Sequence, residues 1–353
     1  MTVHEMLRER NLPPLLKSED GKRTDKDKWI RRREELLGIL RRNFLGNWPE
    51  NVKISFEAQG EDCDDCGGKG IRRQIRASLS RGGKATCFPF FVAIPKNIHR
   101  PVPAFVHLHF PNEAACGMRE ELLDRGYAIA SVCYEEIEKD DSRPAVSCMA
   151  DLLDDTGSSR WGKIGEWAFA GHCVADYLQT LPAIDAQRMA VIGHSRLGLT
   201  SLWCGANDPR FSLTVGINAG SLYRGSECEQ FSDLKRAYTR YWFCPAFFDG
   251  RRDASDLPFD MHFLLSLIAP RHLLLVGASR DRWASPHSMM LAAQAANPAF
   301  GSYGQKGLIM PAAPQACHLY GEGRIGFYIR EGTHYFGRDE WLAAMAYRER
   351  HQV

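Results

Sequence analysis

The segment Arg188–Gly198, RMAVIGHSRLG, decides how this chain is read. RMAVIGH reads as a buried strand, because Met189, Ala190, Val191 and Ile192 follow one another without a charge. RLGLTSLWCGA, which comes next, carries its apolar residues at helical spacing. Ser195 stands in the turn between the two. Gly193 and Gly198 flank it, and small residues there let the helix pack closely on the strand. A serine on such a turn exposes its hydroxyl at the end of a sheet. The backbone N–H of Arg196 then lies at a helix N-terminus, where a developing negative charge is stabilised. The same residues also suit an ordinary helix with a serine N-cap, and G-x-S alone does not separate the two.

The flanking sequence repeats the strand–helix rhythm. PAFVHLHF (103–110), YAIASVCY (127–134), FSLTVGIN (211–218), RHLLLVGA (271–278) and GRIGFYIRE (323–331) read as strands. Helices are expected over 161–181, within PFDMHFLLSLI (258–268) and PHSMMLAAQAA (286–296), and over DEWLAAMAYRERH (339–351). Continuously apolar strands alternating with helices imply a mostly parallel central sheet with helices on both faces, an α/β fold. Before that, VKISFEA, IRRQIRASL and ATCFPFFVAIP read as further strands between Gly-rich turns. Residues 25–46 form an amphipathic helix in which Trp29, Leu36, Leu37, Leu40 and Phe44 share a face, with the Arg31–Arg33 run on a solvated one. The expected organisation is a helical extension over 1–50 and a catalytic domain over 51–353.

Sheets of this kind place their chemistry at the carboxyl ends of the strands. Asp281 follows the strand RHLLLVGA, and His334 follows GRIGFYIRE. With Ser195 they fall in the order nucleophile, acid, base that characterises the α/β-hydrolase fold. That order favours the catalytic reading over the simple N-cap. His334 would take and return the proton of Ser195, and Asp281 would hold the imidazole. Among competing histidines, His351 lies between charges on the last helix and is expected in solvent. His107 and His109 lie on a core strand. His194 is next to the nucleophile and suits lining the site.

Three stretches carry a family resemblance. VIGHSRLGLTSLWCGANDPRF, PFDMHFLLSLIAPRHLLLVGASRDRWASP and GRIGFYIREGTHYF resemble the nucleophile, acid and histidine regions of carbohydrate esterase family 15, the glucuronoyl esterases. The resemblance covers roughly Val102 to the C-terminus and is shared in part with acetylxylan-esterase-like α/β-hydrolases. It implies a serine esterase acting on a carbohydrate ester, with Ser195 as nucleophile and His334 as base. Some members carry the acid on the strand after the nucleophile helix. Asn218 stands there and cannot serve, whereas Asp281 matches the members whose acid follows a later strand. The arginine after the serine, here Arg196, is implied to help hold the oxyanion. Trp283, Trp242 and His194 are the implied substrate-binding residues. The family lysine that contacts the uronic sugar is replaced by Leu199. The alternatives are an amidase or peptidase of the prolyl-oligopeptidase type, and a degenerate carbohydrate-binding homologue that has lost catalysis.

Composition narrows the classes. The 353 residues carry 45 basic and 43 acidic side chains, a net charge of +2, which argues against a nucleic-acid partner that needs a basic face. Mean hydropathy is −0.34, and no apolar run approaches the roughly 20 residues that span a bilayer, so no membrane partner is expected. The N-terminus MTVHEMLRERNLPPLL lacks the apolar core of a secretion signal and is read as cytoplasmic. The 11 cysteines are read mainly as reduced, packed thiols. The lone C-x-x-C at Cys63 and Cys66 lacks the second pair of a zinc site, and DLLDDTG (151–157) lacks calcium-loop spacing, so no metal or cofactor is expected. The expected partner is a small-molecule or oligosaccharide ester.

Overall fold

The computed structural model describes residues 2–16, 27, 29–111, 118–141, 149–152, 157, 160–225, 237–249 and 253–353. Most of the loop DLLDDTG lies outside them. Among the described residues eleven strands form one sheet, in the order β1-β3-β4-β6-β5-β7-β8-β9-β11-β10, with β2 paired to β3. The central strands are β6 (Ala128–Cys133), β5 (Val102–His109), β7 (Ile184–His194), β8 (Phe211–Ile217), β9 (His272–Ala278) and β11 (Ile325–Arg330). All neighbouring pairs in this group are parallel. Every residue of β5 and of β9 is buried, which is why their sequences run apolar without alternation.

The flanks are antiparallel. On one side lie β4 (Lys84–Pro95), β3 (Gly70–Arg81), β2 (Cys63–Asp65) and β1 (Lys53–Ala58); β10 (Leu319–Tyr320) closes the other. Strand β3 mixes buried and exposed positions, and β1 has no buried residue, as expected for the outer part of a sheet.

Two apolar layers cover the sheet. One contains α5 (Lys163–Gln179), α6 (Arg196–Asn207), α7 (Met261–Ser266) and α8 (Pro286–Gly301). The other contains α3 (Met118–Asp124) and α9 (Arg338–His351). The turn α4 (Tyr134–Ile137) follows β6 directly.

The described residues among the first 50 pack onto the larger layer. They hold α1 (Val3–Glu9), α2 (Trp29–Leu40) and a π-turn over Arg41–Leu45. The predicted apolar face is buried, and Phe44 stacks on Phe243 and touches Phe247, Phe259 and Tyr223. The arginine run departs from expectation. Arg32 is buried, because its guanidinium donates to the carbonyls of Pro14 and Leu15, both at 2.9 Å. Arg33 donates to Ala206 O at 2.7 Å. Arg32 thus ties two parts of the N-terminal segment together, and Arg33 ties that segment to the helices of the core.

Cys173, Cys204 and Cys244 are buried thiols, whereas Cys63, Cys87 and Cys317 are exposed. No helix among the described residues is long and apolar enough to cross a membrane.

Candidate active site

Strand β7 ends at His194 and α6 begins at Arg196, so Ser195 alone makes the turn. It adopts φ 58° and ψ −125°, a strained backbone for a residue with a Cβ. The glycines hold this turn. A Cβ on Gly193 would lie 2.2 Å from Leu197 O, and one on Gly198 would lie 2.6 Å from Ile217 O. Ser195 N donates to Ile217 O at 2.8 Å, which fastens the turn to the end of β8. The serine is half-buried, and the positive end of the α6 dipole faces it.

The loops that carry Asp281 and His334 leave neighbouring strands. Ala278 pairs with Arg330 at the ends of β9 and β11. Beyond the pairing, Ser279 N donates to Arg330 O and Arg280 N to Gly332 O, each at 2.8 Å, and Gly332 N donates to Ser279 Oγ at 3.1 Å. The two loops are stitched together just before Asp281 and His334. Arg330 then wraps the histidine loop. It pairs with the buried carboxylate of Glu340, and donates to the carbonyls of Glu331 at 2.6 Å, Thr333 at 2.7 Å and Tyr335 at 3.2 Å.

Within this frame His334 Nδ1 bonds Asp281 Oδ2 at 2.7 Å. An ionised carboxylate only accepts, so Nδ1 carries the proton and Nε2 keeps its lone pair. Asp281 is buried and also accepts from Ala284 N at 3.0 Å and from Asn218 Nδ2. Burial alone would raise its pKa. The bonds from His334, Ala284 and Asn218 outweigh burial and hold the carboxyl below its ordinary value.

His334 also meets the strand that leads into Ser195. The ring of His194 lies 4.7 Å from that of His334, centroid to centroid. His194 itself is buried and packs near Phe110 and Phe336, a lining position. The structure thus joins His334 to Asp281 directly, and brings the residue before Ser195 against the same imidazole.

Trp283 is partly exposed, packs against the edge of the core and stands edge-on to His334 at 5.5 Å. Arg196 lies in an aromatic cradle, its guanidinium 4.7 Å from the ring of Trp242, 5.0 Å from Phe110 and 5.7 Å from Tyr134. It forms an ion pair with Asp140, which also accepts from Trp242 Nε1 at 2.6 Å. Tyr241 Oη donates to Asp140 O at 3.0 Å. Trp242, expected beside the substrate, is only 7% exposed and acts first on Arg196. Leu199 is buried, so no charged group replaces the family lysine at that position.

Asp140 was not anticipated. The signal available was an acidic cluster, EEIEKDD (135–141), directly after a core strand, where carboxyl-end loops carry function. The other histidines stand apart. His107 is buried on β5, where desolvation and then His109 push its pKa well below the usual range, so it stays neutral. His351 is not solvated as expected. It packs against Tyr347 and His272, and its Nε2 bonds Gly321 O at 2.8 Å. Among the described residues no group of three or more His, Cys, Asp or Glu side chains is arranged to hold a metal.

Comparison with known proteins places this chain in a family. Residues 77–304, more than half of the chain, match the family described as "Glucuronyl esterase, fungi". A relative named "Carbohydrate esterase MZ0003", from an unknown prokaryotic organism, is 29% identical over 96% of this chain and 89% of its own. The 4-O-methyl-glucuronoyl methylesterase of Podospora anserina is 26% identical over 74% of this chain, which spans 54% of that relative's length. Among solved structures, a promiscuous CE15 esterase from a marine bacterial metagenome superposes with a TM-score of 0.87 at 28% identity, covering 97% of both chains. The glucuronoyl esterase from Solibacter usitatus gives 0.88 at 25% identity, over 96% of this chain and 97% of its own. With the strained turn at Ser195, the linked loops of Asp281 and His334 and the arginine after the serine already described, these matches make this chain a member of the glucuronyl esterase family.

Proposed function

We propose that this protein hydrolyses a carboxylic ester of a carbohydrate through a Ser195–His334–Asp281 triad. The observation that carries the reading is the 2.7 Å bond from His334 Nδ1 to Asp281, which leaves Nε2 to act as the base on a ring packed against His194, the residue before Ser195. Ser195 Oγ attacks the ester carbonyl and its proton passes to His334 Nε2. The carbonyl oxygen becomes an oxyanion next to the α6 N-terminus and the Arg196 guanidinium. Collapse breaks the bond to the alcohol, which leaves with the proton from His334. Water then attacks the acyl-enzyme, gives its proton to His334, and Ser195 is restored as the acid is released. Asp281 stays ionised throughout, orienting the imidazole and stabilising its cation.

The names of the relatives support a uronate ester, and the partly exposed Trp283 beside His334 offers a face for a sugar ring. The burial of Leu199 removes one charged sugar contact, so an acetylated sugar is the competing substrate.

The test is a panel of methyl glucuronate esters, acetylated sugars, an activated aryl acetate and aminoacyl p-nitroanilides, run on wild type and on Ser195→Ala. Wild type should cleave the esters, spare the anilides, and be labelled at Ser195 by a fluorophosphonate. Ser195→Ala should lose turnover by about 10^6-fold while staying folded. Turnover retained in Ser195→Ala, or an unlabelled serine in wild type, would overturn the proposal. Cleavage of anilides alone would replace the esterase with a peptidase.

A further inference from the structure

We propose that Asn218 is a positioning residue for the acid: its side-chain amide holds the Asp281 carboxylate turned toward His334. The inference rests on the triad reading and deepens it.

Asn218 follows β8, and its backbone N donates to Val276 O of β9 at 2.7 Å. It is fully buried, and Nδ2 meets Asp281 Oδ2, the same oxygen that receives His334 Nδ1. The reverse amide orientation would set a carbonyl oxygen against a carboxylate, so the donor faces the acid. The remaining Oδ1 is buried and finds no hydrogen-bond partner among the described residues. A buried unsatisfied carbonyl is costly, and an apolar residue would avoid that cost. The amide is therefore retained for what Nδ2 does.

A backbone role competes, because Asn218 has φ 51°, a region that asparagine tolerates. Asn218→Gly separates the two, since glycine accepts that φ and lacks the amide. Asn218→Asp preserves shape and replaces the donor with a second carboxylate.

The sign follows from the groups around the acid. Titratable neighbours are His334 on the β11 loop and His194 on β7. Arg280 and Arg282 flank Asp281 in its own loop and are exposed, and Glu331 bonds Ser279 at the base of that loop. Asn218 Nδ2 stabilises the anion of the Asp281–His334 pair. Without it, the pair holds its proton more tightly, and the acid limb of kcat/KM moves to higher pH. A second carboxylate moves it further, because like charges in contact cannot both ionise freely.

The experiment records kcat/KM against pH on the aryl acetate for wild type, Asn218→Gly, Asn218→Asp and Asp281→Asn, with folding checked by circular dichroism. Asn218→Gly should raise the acid limb by about 0.5 to 1 pH unit and lower kcat about ten-fold, and Asn218→Asp should raise the limb by more than about one unit. An acid limb unmoved in Asn218→Gly overturns the inference, leaving Asn218 a backbone role only; if that variant does not fold, an unmoved limb in Asn218→Asp does the same. Undiminished turnover in Asp281→Asn would instead overturn the triad itself.

Discussion

Arg330→Met tests whether the histidine loop is held by a buried ion pair. Methionine keeps the length and apolar stem of arginine but removes every donor. The Arg330 side chain is 12% exposed and its partner Glu340 is 0% exposed. Glu340 keeps one bond, from Gly337 N at 2.8 Å, and loses the only side-chain cation that any described contact gives it. Stranding a buried carboxylate in this way costs about 3 to 5 kcal/mol. The carbonyls of Glu331, Thr333 and Tyr335 lie toward solvent and can turn to water, so they add little. The ion pair therefore dominates the loss. Arg330→Met/Glu340→Leu removes the stranded charge along with its partner, and should recover at least about 2 kcal/mol of the single variant's loss. Urea unfolding followed by tryptophan fluorescence measures both. Because the loop carries His334, Arg330→Met should also lower kcat about 10- to 100-fold with little change in KM, and the double variant should not restore it. A loss below about 1 kcal/mol in the single variant, or a double variant as unstable as the two singles summed, would refute the reasoning.

Asp140→Asn keeps an acceptor for Trp242 but removes the charge opposite Arg196. It should lower kcat on the aryl acetate about ten-fold with KM nearly constant, and add nothing in an Arg196→Ala background, because Asp140 acts through Arg196. Asp260 predicts a pH effect on stability. It is fully buried, and burial raises its pKa to about 6 despite bonds from Tyr223, Met261 and Arg224 N–H groups. The folded value exceeds the unfolded one, so its stabilising contribution is complete below about pH 4 and is lost as pH rises through 6. Asp260→Asn, fixed in the neutral form, should gain about 3 kcal/mol on wild type between pH 4 and pH 7. A parallel course of the two stability curves over that range would exclude the effect.

The parts legible in the sequence share a local signature. β5 and β9 announce themselves by unbroken apolar runs, because both faces of a parallel sheet are covered. Ser195, Asp281 and His334 each stand directly after such a run, so chain order alone groups them. α1 falls within the helical extension expected over 1–50, and its capping box, Thr2 with Glu5, is a further local sign. Other departures involve partners that no local pattern names. Arg32 is satisfied by carbonyls 17 and 18 residues away, which turns a surface pattern into a buried contact. Asp140 and Arg196 meet across 56 residues, and nothing in the spacing of either marks the other. Buried charges are placed by tertiary partners, and periodicity reports only which face an element presents.

The position of the acid follows from the same sheet geometry. β8 and β9 are parallel neighbours, with Ile217 paired to Val276, so their carboxyl ends open on one spot. A carboxylate leaving either strand can address an imidazole carried by the β11 loop. The proposed triad takes its acid from the β9 loop, and that choice constrains β8. The residue at 218 touches Asp281 directly and is sealed from water. An apolar side chain there would take a donor from a buried anion. An acid there would repel it and leave the pair sharing a proton. A neutral donor that tolerates a positive φ meets both demands, and asparagine is the side chain that combines them. The identities at 218 and 281 are thus coupled by one contact, and moving the acid back to β8 would require replacing both residues together.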